Sequence, residues 1–242
     1  MNGMARWVVM LLLVATTGRA DDTPLRQKWA PSPHGADDQV GSANYITAAK
    51  VLEGARLVTR GKVATLGKVY EHTMPVFGGR SWNMHIPGKP TGGPLGHNDA
   101  VYNDELLTAE IGQIGTQFDG LGHIGVRTSK GDYFYNGRYL KDFFDQYGLT
   151  KNGVEHVAEK GFASRGVLID VAAYRGLDRL PVPTGGKGDP GIVTVEDILG
   201  ALAKQGTRVP GQGDIVLIHT GHGKYWGRDW DSEIKRCVRI PE

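Results

Sequence analysis

The sequence predicts an α/β fold, a single domain with a mixed sheet and flanking helices. Three observations carry that expectation. Two apolar runs suited to buried strands, GVLIDVAAY (166–174) and GDIVLIHTG (213–221), flank the clearest helical segment, TVEDILGALAKQG (194–206). Strand-like and helix-like stretches interleave along the chain instead of segregating into blocks. The 242 residues suffice for one sizeable domain but not comfortably for two.

Residues 1–20 read as a signal peptide and stand outside the fold, leaving 21–242 as the domain. Arg6 gives a positive start, WVVMLLLVA (7–15) a short apolar core, and Gly18 and Ala20 the small residues of a cleavage site before Asp21. The apolar run is too short to span a bilayer unaided, and no later segment is long and apolar enough to do so. The expected location is the periplasm or the medium, with no stable membrane association after cleavage.

Next, PSPHGADDQVGSANYIT (31–47) is a loop of turn formers that leads into a helix over 47–58. GKVATLGKVYEHTMPV (61–76) reads as strand-like through Val63, Leu66, Val69 and Val76. Residues 78–98, dense in Gly, Pro and Trp, form a long loop of the kind that covers a site. LLTAEIGQIGTQFD (106–119) is a strand by composition and partial alternation. YLKDFFDQYG (139–148) and NGVEHVAEKG (152–161) read as short helices. In 194–206, Thr194 is the N-cap, Asp197 supports the start and Gly206 stops the helix.

Composition excludes several functions. Loss of residues 1–20 removes Arg6 and Arg19 from 28 basic residues, leaving 26 against 26 acidic ones. Such a chain has no general pull on nucleic acid or anionic lipid. The expected partner is a small-molecule substrate, and a homo-oligomer remains compatible. Cys237 is the only cysteine, which excludes an internal disulfide and a cysteine-built zinc site.

The candidate chemistry lies in 113–123. On a strand, Gln113, Gly115, Gln117 and Asp119 share one face, with Ile114, Thr116 and Phe118 on the other. Gly115 leaves room on the polar face, and the turn Gly120-Leu121-Gly122 brings His123 back over it. Alternation by itself favours a solvated polar face.

QIGTQFDGLGH (113–123) resembles the signature H-x-G-T-H-x-D-x-P-x-H of the cyclase family, which includes bacterial kynurenine formamidases and isatin hydrolases. Gly115, Thr116, Asp119 and His123 match it as they stand. Gln113 and Gln117 replace its first two histidines, and Leu121 its proline. GADDQVGSANYIT (35–47) is similar to the GxxDxxGxxNxLT segment of one branch. RGVLIDVAAYRG (165–176) and GDIVLIHTG resemble the later core strands. The likeness runs from Gly35 to Trp226.

The resemblance implies a swivelling β/β/α fold and a metal-dependent hydrolase of a cyclic or aryl amide, arylformamidase-like. It makes Asp119 the best metal ligand, puts Gln117 and Gln113 at the other ligand positions, and gives His123 the acid/base role. Amide oxygens suit hard ions, so Mn²⁺ is expected over Zn²⁺. Trp82 falls where the family places an aromatic wall for a flat substrate, and a packed loop tryptophan is an equal reading. The family's further His and Glu ligands, beyond the VLIxTG strand, have no counterpart before Glu242, so the C-terminal part of the domain is expected to be missing. His219 and His222 are replacement candidates, more simply read as a strand-end and a loop histidine. His34, His72, His85 and His97 match no ligand spacing. The family's best-known reaction belongs to cytoplasmic tryptophan catabolism, so export points to the family more firmly than to that reaction. The alternatives are a metal-free acid/base enzyme, such as a lactonase or dehydratase, and a periplasmic small-molecule-binding protein.

Overall fold

A computed structural model describes residues 29–71, 74, 76, 79–186 and 188–225. The expected signal segment, His72 and Cys237 lie outside the described residues. In chain order, a 3₁₀ turn at Gly41–Tyr45 leads to helix α1 (Ala48–Ala55). Then come β1 (Trp82–His85), β2 (Gly92–Leu95), β3 (Ala100–Tyr102), β4 (Leu106–Ala109), β5 (Val126–Thr128), β6 (Gly131–Phe134) and β7 (Arg138–Tyr139). The short pair β8 (Phe144–Asp145) and β9 (Gly148–Leu149) precedes α2 (Val154–Lys160). Finally β10 (Gly166–Asp170), α3 (Val171–Tyr174), α4 (Val195–Gln205) and β11 (Ile215–His219) complete the described order, followed by a 3₁₀ turn at His222–Tyr225.

The class is α/β, distributed over small sheets. β1 pairs with β4, β2 with β3 and β8 with β9, all antiparallel, and β5, β6 and β7 form an antiparallel three-stranded sheet. β10 and β11 run parallel, with Val167 opposite Val216 and Asp170 opposite His219. Parallel strands need a crossover, and α3 and α4 supply it.

The main core sits under that crossover. Val167 and Ile169 alternate inward from β10 and meet Val171, Leu180, Ala201 and Leu202, with Tyr174, Val193 and Ile198 at its margin. Helix α4 is positioned by its ends. Thr194 accepts from the Asp197 backbone and Asp197 from the Thr194 backbone, and Gly206 closes the helix at φ 62°. A smaller cluster joins Ala43, Ile46 and Val157 beside Val40.

The 31–47 loop is built around Asp38. Its carboxylate accepts from Tyr135 Oη at 2.6 Å, Asn44 Nδ2 at 2.6 Å and the Gly41 N–H at 3.0 Å. Burial alone would raise the Asp38 pKa, but hydrogen bonds from Tyr135, Asn44, Gly41 and Val40 outweigh it and hold the carboxyl below its ordinary range.

Several expected elements differ. The 61–70 segment forms no strand, and Val63, Leu66 and Val69 are exposed. The expected strand over 106–119 stops at Ala109. The expected helix over 139–148 is a 3₁₀ turn at Leu140–Asp142 followed by β8 and β9. β11 forms as expected, yet Val216 and Ile218 stay about half exposed, at 46% and 48%.

Candidate active site

The segment from Ile111 to Gly125 has no regular secondary structure, and that irregularity is what assembles the site. Gln113 adopts φ 63°, a left-handed conformation uncommon for a residue with a side chain. This turns the chain, so Gln117 Oε1 accepts a hydrogen bond from the Gln113 N–H. Ile114 points inward and is 2% exposed, as alternation predicts, whereas Phe118 stands out at 54%. The room at Gly115 is taken by the protein itself. A Cβ there would collide with the Tyr70 ring, whose hydroxyl donates to the Thr116 carbonyl at 2.5 Å.

The four polar residues of the motif do meet. Gln117 Nε2 donates to Asp119 Oδ1 at 2.8 Å, and Gln113 Nε2 to Asp119 Oδ2 at 3.4 Å. Gln113 Nε2 also lies 3.2 Å from His123 Nε2, and Asp119 Oδ1 lies 3.7 Å from that nitrogen. An amide nitrogen only donates, so the contact with Gln113 requires a lone pair on His123 Nε2 and places the proton of the neutral ring on Nδ1. The cluster opens on a cavity of about 530 Å³ lined by Gln117, Asp119 and His123, with Ile111, Phe118, Leu149 and Val154 as apolar walls. The side chains of His123 and Asp119 are 37% and 43% exposed, so the cluster is reachable from solvent.

The support comes from residues that local pattern reading passes over. Asn152, fully buried at φ 58°, accepts at its carbonyl from the Gly122 N–H at 2.9 Å. Its own N–H donates to Gln39 Oε1 at 2.9 Å, its Nδ2 to the Tyr135 carbonyl at 3.1 Å, and its Oδ1 accepts from Arg138. The 31–47 loop thereby braces the turn that carries His123. Leu121, which stands in the place of the motif's proline, packs on Gly41, with Cδ1 3.2 Å from where a Cβ there would lie. The only local signal for any of this was the Asn152-Gly153 pair ahead of α2, a turn dipeptide.

Other candidates stand apart from the cluster. Trp82 does not line the cavity; its ring meets Tyr70 edge-on at 4.9 Å, and its Nε1–H is buried without a hydrogen-bond partner among the described residues. His219 Nδ1 lies 2.9 Å from Asp170 Oδ1 at the C-terminal ends of β11 and β10. That bond, with the Ala173 N–H, holds the Asp170 carboxyl below its ordinary range. His222 is pushed down by burial first and then by the Arg179 charge. His34 packs against Tyr45 at 4.9 Å.

The donor set, as arranged, does not fit the expected metal ion. Both Asp119 oxygens face amide nitrogens, and the Gln117 carbonyl is committed to the Gln113 backbone. Among the described residues no group of three or more His, Cys, Asp or Glu side chains could hold an ion. An ion on Asp119 would require the amides to turn their oxygens inward, at the cost of these hydrogen bonds.

Comparison with known proteins bears on the fold as a whole. The family model described as "Putative cyclase" matches residues 64–238. The crystal structure of a novel cyclase superposes with a TM-score of 0.70 at 30% sequence identity, covering 90% of this chain and 68% of that one. No curated protein matches the chain.

Proposed function

We infer the activity from one premise: the chain belongs to the cyclase family. On that premise we read it as an enzyme that hydrolyses a small cyclic or aryl amide, with His123 as the proton carrier. The observation that carries this reading is the convergence of Gln117, Asp119 and His123 on the wall of one cavity, with Gln113 bonded to Asp119 and His123 behind them.

The chemistry follows from the hydrogen bonds. His123 carries its lone pair on Nε2, where Gln113 now donates; once that hydrogen bond is released, the lone pair is suited to take a proton from a water attacking the amide carbonyl. The resulting imidazolium sits 3.7 Å from Asp119 Oδ1, whose charge stabilises it. The proton then passes from His123 to the leaving nitrogen as the C–N bond breaks, giving a carboxylic acid and an amine. Of the two Gln117 Nε2 hydrogens, one serves Asp119. The other is a donor for the oxyanion that develops on the carbonyl oxygen. No step is assigned to a metal, because the donor set as arranged does not fit one.

The reading includes export. Residues 1–20 carry the pattern of a cleaved signal, and no helix among the described residues is long and apolar enough to cross a membrane. N-terminal sequencing of protein from the periplasm is expected to start near Asp21.

The test is turnover on a panel of aryl formamides, cyclic amides and lactones. His123→Ala is expected to lower kcat by ~10²–10⁴-fold with the fold intact. His123→Gln is expected not to restore it, because an amide does not titrate near neutral pH. Unchanged turnover in His123→Ala would remove His123 from the reaction. Ligand binding without turnover on any substrate would make the chain a binding protein instead.

A further inference from the structure

The cavity holds a second carboxylate that the proposed reaction does not use. Glu155, in the first turn of α2, lines the cavity together with Asp119 and His123. Its carboxylate folds back over Gly153, and a Cβ at that position would collide with both carboxylate oxygens. The missing side chain at 153 is therefore what gives the carboxylate its place on the wall.

Unlike Asp119, this carboxylate accepts no hydrogen bond among the described residues. It pairs loosely with His156, whose Nε2 lies at 3.7 Å, beyond hydrogen-bond length. Among the described residues no lysine or arginine lines the cavity, so the fixed charges there are the two carboxylates. The same cavity is lined by Ile111, Phe118, Leu149 and Val154, which suit an aromatic or other apolar body.

We propose that the substrate is an apolar, ring-bearing molecule with a protonated amine, and that Glu155 is the residue that selects it. The ammonium lies at Glu155 while the ring lies along the apolar wall and the scissile carbonyl faces His123. A ligand with a carboxylate at the same place meets two like charges and no lysine or arginine, so the wall rejects it as well as attracting its opposite. This deepens the hydrolase reading and depends on it only for the identity of the bond that breaks.

Binding can be read without turnover. The probes are 2-phenylethylammonium and its near-isosteric anion 3-phenylpropanoate, titrated calorimetrically into the full chain. The cation is expected to bind about tenfold tighter than the anion at low salt, with the preference shrinking as salt rises. Glu155→Gln is expected to bring the two affinities within about twofold, while leaving circular dichroism unchanged, since the site is exposed. Gly153→Ala keeps the charge but displaces the carboxylate, and is expected to reduce the preference in the same direction. Equal binding of the two probes, tighter binding of the anion, binding of neither, or a preference that survives Glu155→Gln would each overturn the proposal. A chain that binds the cation selectively yet hydrolyses nothing would sink the hydrolase reading and leave this one standing. Hydrolysis of amides by a chain with no charge preference would do the reverse.

Discussion

Asp119 decides what the site can hold, and its oxygens are already engaged by two amides. Wild-type protein is therefore expected to keep well under one equivalent of Mn²⁺ or Zn²⁺ after dialysis. Restoring imidazoles with Gln113→His and Gln117→His together is expected to bring retained Zn²⁺ to about one equivalent, because neutral imidazole is a far better zinc ligand than a carboxamide. Elemental analysis decides, and a tightly held ion in the wild type would overturn the account of an engaged carboxylate. Asn152 offers a second test at this scale. It is fully buried with its side chain bonded to Arg138 and to the Tyr135 carbonyl. Asn152→Ala is expected to cost about 1–3 kcal/mol in urea unfolding, since it strands buried partners. Asp119 and His123 were legible in the sequence because their spacing lies within a few residues. The role of Asn152 was not, because its bond to Gln39 spans 113 residues and the turn dipeptide Asn152-Gly153 says nothing of that partner.

Among the elements, α4 was the most legible, because its stop and start signals are local chemistry. Thr194→Ala is expected to cost about 0.5–2 kcal/mol, the usual value of an N-cap. The same helix start is sensitive to acid. The Arg175 guanidinium first, and the Thr194 N–H next, hold the Asp197 carboxyl far below its ordinary range. Asp214 is pushed up by burial, yet hydrogen bonds from Gly211 and Lys50 and the Arg165 charge bring it down to about 2. Carboxyls depressed in the folded state stabilise it fully above their unfolded value, near 3.8, and lose that contribution as pH falls toward the folded value. The urea midpoint is thus expected to fall between pH 5 and pH 2. In Asp197→Asn the midpoint is lower at pH 7 and the decline shallower. An unchanged decline in that variant would remove Asp197 from the acid response. Of the strand expected over 61–76, the described residues 61–71 form none, for a visible reason. Val63, Leu66 and Val69 recur every third residue, so no single face of a strand collects them. The strand over 106–119 stops at Ala109, ahead of the turn that the left-handed Gln113 makes.

At the scale of the molecule, the α/β class could be read from the interleaved segments, but the division into small sheets could not. Pairing partners such as β1 and β4 are set by contacts that periodicity does not encode. The two halves of the architecture also differ in how far apart in sequence their contacts reach. The core of Val167, Ile169, Val171, Leu180, Ala201 and Leu202 lies within a short stretch of chain. The site depends instead on the loop at 31–47 meeting residues 135–152. Ordering distant segments carries a larger entropic cost than ordering near ones, and local openings draw on the weaker set. Amide hydrogen exchange is expected to be slower at Ile169 and Leu202 than at Gly122; equal protection would contradict this. The brace from Gln39 through Asn152 to Gly122 then has a practical consequence. A preparation can keep its helical spectrum while a fraction of its molecules have released that brace, so spectroscopic intactness overstates the number of competent sites. Specific activity for this chain has to be normalised to titrated sites, not to protein mass.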